Sequence, residues 1–409
     1  MFDLAPLEIP DNILPLMAVG GRDMALDGVT RDQLISTIRR FVDERLIPAE
    51  AQVAQTDAIP GDVLTDMKGI GLFGLSISEE YGGLGLNMEE EALLVLELGR
   101  AAPAFRSMFA TNVGIGSQGI AIDGTAAQKE KYLPRLASGD LIGSFALTEP
   151  DVGSDAGSVR TTARRDGDHY VLNGTKRFIT NAPHAGLFTV MARTDPAQKG
   201  PRGVSAFAVE AGVLGLSTGK PEKKMGQQGA HVSDVILENC RVPVGALIGG
   251  IEGMGFKTAM KVLDKGRLHI AAACVGLAER IIDDMMAYAV TRQQFGKPIA
   301  EFQLLQAMFA DSRAEAYCAR CMVLDAARKR DAGLDVSVEA SCAKMFASEM
   351  VGRVADRNVQ VHGGNGYIAE YRAEQLYRDA RLFRIYEGTT QIQQGIIARA
   401  MAEQARAAM

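Results

Sequence analysis

The run Tyr386-Glu387-Gly388-Thr389 sets one carboxylate on a glycine-containing turn, just ahead of a helix that opens at Thr389-Thr390-Gln391. Thr390 and Gln393 have the spacing of a capping box. A carboxylate there can point into a cavity with backbone N–H groups beside it. Abstraction of a weakly acidic C–H proton needs that pairing: a positioned base, and donors for the negative charge that develops. A Glu exposed on a surface turn is the commoner case, so the rest of such a site has to come from elsewhere in the chain.

Two distant segments offer it. Ala146-Leu147-Thr148-Glu149-Pro150-Asp151-Val152-Gly153-Ser154-Asp155 ends a strand in a polar loop, whose N–H groups and Thr148 and Ser154 hydroxyls suit the edge of a planar heterocycle or a phosphate. In Asn173-Gly174-Thr175-Lys176-Arg177-Phe178-Ile179-Thr180-Asn181 a ring at Phe178 and a hydroxyl at Thr180 fall on one strand face, a spacing for stacking plus a hydrogen bond to a flat ring. Taken singly, each segment reads better as turn chemistry. Two other glycine patterns compete. Gly69-Ile70-Gly71-Leu72-Phe73-Gly74 follows a helical pattern, so it is no dinucleotide loop. Gly114-Ile115-Gly116-Ser117-Gln118-Gly119 could open a βαβ unit for an NAD-dependent Rossmann enzyme, but Gly124 interrupts the helix and hairpins follow. Glycines easing helix packing is the better reading. Histidines 169, 184, 231, 269 and 362 lack metal-ligand spacing, and His269 reads as a packed or capped core residue. Cys318 and Cys321 form a C-x-x-C with no second pair, on a run that reads as helix, so ordinary helix packing is expected.

The positioning scaffold is large: 409 residues imply two or three domains. Hydrophobic residues at 47% and charged residues at 23% are ordinary for a globular protein. A net charge of −6 argues against nucleic acid or an anionic membrane as partner. No stretch is apolar enough to span a bilayer, and Met1 to Pro10 lacks the basic n-region of a signal peptide. Five cysteines favour a reducing compartment, and a cytoplasmic location is expected.

Residues 1–29 read as an N-terminal tail. A helical domain is expected over 30–141, with a first helix opening at Thr30, burying Leu34, Ile38, Phe41 and Leu46, and stopped by Pro48; further helices fall near 61–69, 88–101 and 126–137. Short β-rich runs over 142–250, with Asn173-Gly174 as a hairpin turn, predict an antiparallel β-barrel or sandwich. From 251 to 409 long helices near 253–293, 302–331, 337–361 and 390–406 predict a four-helix bundle. The fold class is thus α+β multidomain, ordered helical, β, helical.

These segments, together with Leu263-Asp264-Lys265-Gly266-Arg267, Arg292-Gln293-Gln294-Phe295-Gly296-Lys297 and Gln360-Val361-His362-Gly363-Gly364-Asn365-Gly366, resemble the acyl-CoA dehydrogenase family in order and spacing from about residue 31 to the end. The resemblance implies FAD, an acyl-CoA substrate, and an oxidation of the β-oxidation type that yields a trans-2-enoyl-CoA. Glu387 matches the base that takes the pro-R α-proton while a β-hydride goes to flavin N5; its own N–H would bind the thioester oxygen. Thr148, Ser154, Phe178 and Thr180 match positions around the flavin, with Ser154 also near the CoA pantetheine. Asp264, Arg267 and Gly388 match substrate-side positions. Arg292, Gln294, Phe295, Gln303, Gln360 and Gly364 match FAD contacts made across a dimer interface, and Thr389 and Gln391 match contacts beside the base. A homotetramer and an electron-transferring flavoprotein as electron acceptor are implied. Water exclusion is expected to raise the pKa of the base against the pull of the neighbouring helix N-terminus. Gly266 occupies the position where some relatives carry the base, which favours Glu387. Two further outcomes stay open: a non-catalytic acyl-CoA or flavin-binding relative, and an oxidase using O₂.

Arg106 falls where glutaryl-CoA dehydrogenases hold an Arg for the distal carboxylate, although the acid seven residues earlier in those enzymes is Gly99 here. The expectation is a polar-tailed or dicarboxylyl acyl group without decarboxylation.

Overall fold

The computed structural model describes residues 26–409, so most of the expected tail lies outside the described residues. The first helix starts earlier than Thr30. The Asp27 carboxylate accepts from the N–H groups of Val29 and Thr30 and opens α1 (Gly28–Phe41). Pro48 does not stop the chain. α1 widens into a π-helical turn at Val42–Leu46 and continues as α2 (Ile47–Thr56), the wider turn coming just before Pro48, whose ring nitrogen can donate no helix bond. α3 (Gly61–Gly69), α4 (Met88–Leu98) and α7 (Ala126–Ala137) lie close to expectation, the last two opened by reciprocal capping boxes at Asn87/Glu90 and Thr125/Gln128. Between them lie two helices the sequence reading did not foresee, α5 (Pro103–Val113) and α6 (Gln118–Asp123). Every residue of α5 is buried, so it has no polar stripe to betray its period.

The Gly114–Gly119 run links these two helices, and no strand precedes it. A Cβ on Gly116 would sit 2.7 Å from the Thr111 carbonyl oxygen and 2.9 Å from the Gly143 carbonyl carbon. The glycine permits close backbone packing; the dinucleotide reading fails for want of a strand.

The middle segment is one curled sheet: β1 (Gly143–Ala146), β2 (Thr162–Asp166), β3 (His169–Thr180), β4 (Leu187–Arg193), β5 (Val204–Glu210), β6 (Leu216–Thr218) and β7 (Val232–Pro243). Strand order is β1-β4-β2-β3-β7-β6, with β5 on β4. It is mixed, because β1 and the start of β2 run parallel to β4. The hairpin turn is not Asn173-Gly174. The chain reverses at Gly167 (φ +64), where Asp166 faces His169, and Asn173-Gly174 lies inside the continuous β3 at a register shift against β7. There the Asn173 Oδ1 accepts from the Asn239 N–H at 2.7 Å, and a Cβ on Gly174 would strike Thr161. The pair marks a bulge because close strand approach, like a tight turn, selects small flexible residues.

The C-terminal part is built on the 37-residue α8 (Gly255–Thr291). A small ribbon of β8 (Gln293–Gln294) and β9 (Lys297–Pro298) leads into α9 (Gln303–Asp331) and α10 (Ser337–His362), followed by the unforeseen α11 (Arg372–Ala380) and then α12 (Thr390–Ala407). α8 passes through the core: Leu268 and Ile270–Cys274 are buried against α4, α9 and α10. Cys318 and Cys321 are free thiols on the exposed face of α9, helical as expected but not packed. Among the described residues no helix is long and apolar enough to cross a membrane.

Candidate active site

A cavity of about 640 Å³ lies where all three parts meet. α5 contributes Arg106, Ser107 and Thr111; the loop after β1 contributes Thr148 and Ser154; β3 contributes Phe178 and Thr180; α8 contributes Gly266, Arg267 and His269. Glu387 and Gly388, with Gln391, Ile396 and Arg399 of α12, close it.

The Glu387 turn is held by residues of other helices. Its backbone is left-handed at φ +53, followed by Gly388 at φ +92. A non-glycine residue there is strained by roughly 1–3 kcal/mol, so its surroundings must fix it. Lys344 of α10 donates to the Gly388 carbonyl at 2.6 Å, and the Gln393 amide donates to the carbonyls of Glu387 and Gly388. The helix cap differs from the expected box. Thr389 is the N-cap, accepting from the Ile392 N–H, while Thr390 donates to Glu349 at 2.7 Å. Gln393 reaches back as the spacing suggests, but to carbonyls five and six residues earlier.

The Glu387 side chain is 11% exposed. Its Oε2 has no hydrogen-bond partner among the described residues, and its Oε1 is 4.0 Å from the Arg106 guanidinium. Burial pushes the carboxyl up, outweighing the opposing pull of Arg106, Lys344 and Arg267. Room for the carboxylate comes from α8: a Cβ on Gly266 would lie 2.1 Å from Oε2.

Arg106 and His269 belong to a polar cluster, with Glu91 and Lys265, that the sequence reading missed. Arg106 donates from Nε and Nη2 to His269 Nδ1 at 3.0 and 2.8 Å. His269 Nε2 is 3.5 Å from Glu91 Oε1, and Lys265 is 2.8 Å from Glu91 Oε2. All four side chains are buried. His269 is a core residue, as expected, but one that faces the cavity; its position three residues after Gly266 puts it on the same face of α8. Nothing in the local sequence flags Glu91.

Phe178 has φ +59 and stands 57% exposed on the cavity side of β3, with buried Ile179 between it and Thr180. A register shift in β3 between Lys176 and Ile179 re-aims this stretch. Behind it the Glu149 carboxylate accepts from the N–H groups of Arg160 and Thr161, the Thr161 hydroxyl and Lys176. The Arg177 N–H holds the Thr148 carbonyl at 2.8 Å. Asp264 is off the cavity lining and pairs with Arg267 at 2.5 Å; Thr389 is likewise off it, serving as the cap.

The remaining residues collect elsewhere. Arg292, Gln294, Phe295, Gln303, Gln360 and Gly364 line a second, open cleft of about 950 Å³ on the C-terminal part. Phe295 is 93% exposed there.

Comparison with known proteins agrees with this geometry. Residues 30–140 match the acyl-CoA dehydrogenase N-terminal domain, 144–240 its middle domain and 253–402 its C-terminal domain. The acryloyl-CoA reductase (NADH) of Anaerotignum propionicum is 42% identical over 91% of this chain and 94% of its own. The caffeyl-CoA reductase–Etf complex subunit CarC of Acetobacterium woodii is 39% identical over 90% of this chain and 97% of its own. The structure of butyryl-CoA dehydrogenase from Megasphaera elsdenii superposes with a TM-score of 0.88 at 34% identity, covering 93% of this chain and all of that one. The chain belongs to the acyl-CoA dehydrogenase family, whose members are flavin oxidoreductases acting on acyl-CoA thioesters.

Proposed function

We propose that Glu387 is the catalytic base of an α,β-dehydrogenation of an acyl-CoA, with FAD as the cofactor. One observation carries this reading: a buried carboxylate oxygen with no donor, on a strained turn whose Glu387 lines the cavity. The lining fits a flat ring, since Phe178 offers an exposed face beside the Thr148 and Thr180 hydroxyls, with Ser154 and Gln391 on the same cavity. When bound, the flavin supplies the two-electron acceptor for the β-hydride. Glu387 takes the α-proton, and the Cα–H electron pair becomes the new double bond as the Cβ–H pair departs. The Glu387 N–H, which has no acceptor among the described residues, is free to bind the thioester oxygen as enolate charge develops. Arg267 and Arg106 face the same cavity as fixed cations. In anaerobic mixing with butyryl-CoA the wild type should bleach its flavin, and Glu387→Gln should not; bleaching at the wild-type rate would remove Glu387 from the mechanism.

Arg106 sets the tail preference in this reading. Its Nη1 has no protein partner among the described residues, and the side chain stands close to Glu387. A cation so near the reacting carbons suits a carboxylate or other polar group only a few bonds beyond them. Arg106→Leu should lower kcat/KM for glutaryl-CoA by roughly 10²-fold, and for butyryl-CoA by far less. Equal losses would remove the dicarboxylyl preference.

The resemblance of the partner-facing features supports three further assignments. The open cleft with exposed Phe295 suits FAD contacts completed by a second subunit in a homotetramer, testable by light scattering of the holoenzyme. A relative that is a subunit of an Etf complex supports an electron-transferring flavoprotein as acceptor, testable by coupled reduction of that protein. Free buried Cys240 and Cys274 support the cytoplasm as location.

A second reading runs the same chemistry backwards, because two relatives are reductases of enoyl-CoA type. A carboxyl whose pKa is raised by burial holds its proton more tightly and could return it to the α-carbon. Turnover of a 2-enoyl-CoA with a low-potential donor, faster than acyl-CoA oxidation, would select it.

A further inference from the structure

The buried chain Glu91–His269–Arg106 has no part in the proposed proton transfer, yet it ends beside the carboxylate that performs it. Its geometry fixes a protonation state. Both Arg106 contacts to His269 are donated by the guanidinium, so Nδ1 must carry a lone pair and the ring proton sits on Nε2, facing Glu91 Oε1 at 3.5 Å. Burial, then Arg106, then Lys265 all push the His269 pKa far down, so a second proton does not join. Lys265 occupies the other Glu91 oxygen.

This arrangement holds two opposite charges apart. Arg106 and Glu387 approach only to 4.0 Å, too far for a hydrogen bond, although both are largely withdrawn from water and a fork-on-carboxylate pair would ordinarily close to below 3 Å. The restraint is His269, whose Nδ1 engages both Nε and Nη2, the latter being the nitrogen nearest Glu387. We propose that His269 is a positioning residue that, as the neutral Nε2–H tautomer, draws Arg106 off Glu387 and so keeps the base unpaired and able to accept a proton. This rests on the assignment of Glu387 as base. The other ionisable groups around the pair are Arg267 and Lys265 of α8, Lys344 of α10, Tyr386 beside the base, and Cys274. Among these, Lys344 donates to the Gly388 carbonyl and Arg267 Nη1 to Asp264, and neither hydrogen-bonds Glu387.

The test uses the holoenzyme and butyryl-CoA, which has no distal carboxylate, so it does not depend on the tail preference. His269→Leu fills the space but offers no acceptor. Arg106 then closes on Glu387, and the acidic limb of the pH–rate profile for flavin reduction moves down by about one pH unit while the limiting rate falls roughly tenfold. His269→Asn, whose Oδ1 can accept where Nδ1 did, should bring rate and limb back towards wild type. In Arg106→Leu/His269→Leu the second substitution should cost nothing further in rate, because the cation it restrains is gone. An unmoved or upward-shifted limb in His269→Leu, losses that add in the double variant, or no rescue by Asn would each overturn the proposal. If His269→Leu does not fold, the Asn variant against His269→Gln, which places its amide nearer the Nε2 position, makes the same comparison. Glu387→Gln separates the two claims. Full activity there removes the base itself, whereas an inactive Glu387→Gln with an unmoved limb in His269→Leu removes only the positioning role.

Discussion

Glu149 and Glu387 are both largely withdrawn from water, and they end in opposite states. Burial pushes each carboxyl up. At Glu149 the Lys176 ammonium, the Thr161 hydroxyl and backbone N–H groups outweigh it, and the group is held below the usual carboxylate range. At Glu387 three cations stand nearby, but none donates a hydrogen bond, and burial wins. Burial alone therefore does not make a base. The number of donors aimed at the oxygens decides whether a carboxylate is a structural anchor or a group waiting for a proton. Glu149 ties the loop carrying Thr148 and Ser154 to the strand carrying Phe178; Glu387 is left unsatisfied by the fold around it.

The contrast can be broken most severely at Glu387 itself, where replacement by Gln should lower the rate of flavin reduction by roughly 10³-fold, read by stopped flow. Gly266→Ala should come next: the added methyl occupies the position of Oε2 and displaces the carboxylate, costing roughly 10²-fold in kcat with little change in flavin content. At the anchor the loss is in stability. Glu149→Gln leaves the Lys176 charge buried with neutral oxygen acceptors and no counter-charge, and should cost about 3 kcal/mol in denaturant unfolding.

The smallest effect is also the sharpest in sign. Glu149 has a depressed folded pKa, so its contribution to stability is present above the ordinary carboxylate value and is lost as pH falls through the lower folded one. Glu387 has a raised folded pKa. Between the ordinary and the raised value the native state keeps a proton that the unfolded chain has released, so stability falls as pH rises through that window and stays lower above it. At neutral pH Glu387→Gln should thus melt no lower than wild type, while Glu149→Gln melts clearly lower. A destabilised Glu387→Gln would mean that the carboxylate has partners in solution that the structure lacks.

How far each feature was legible follows from the range of the interactions behind it. Helices with a polar and an apolar face, such as α3 and α7, announce themselves by period, and the three-part order follows from such local texture. α5, buried on all sides, could not. Asn173-Gly174 was a correct sign of unusual backbone and a wrong sign of a turn, because close strand approach and chain reversal call for the same residues. Thr389 rather than Thr390 caps α12, since the side chain of Thr390 is claimed by Glu349 from another helix. Glu387, Phe178 and Arg106 were visible as types in a pattern; Glu91 and Lys344 were not, because nothing near them in sequence needs a charge.

The sequence by itself determined the segments, the family pattern and the one carboxylate placed on a glycine turn, all of which depend on neighbours within a few residues. Only the tertiary structure decided that this carboxylate is short of donors, that Gly266 makes room for it, and that His269 sits between Arg106 and Glu91. Protonation and desolvation depend on everything within a few ångströms, whatever its distance along the chain, so they exist only once the helices have packed.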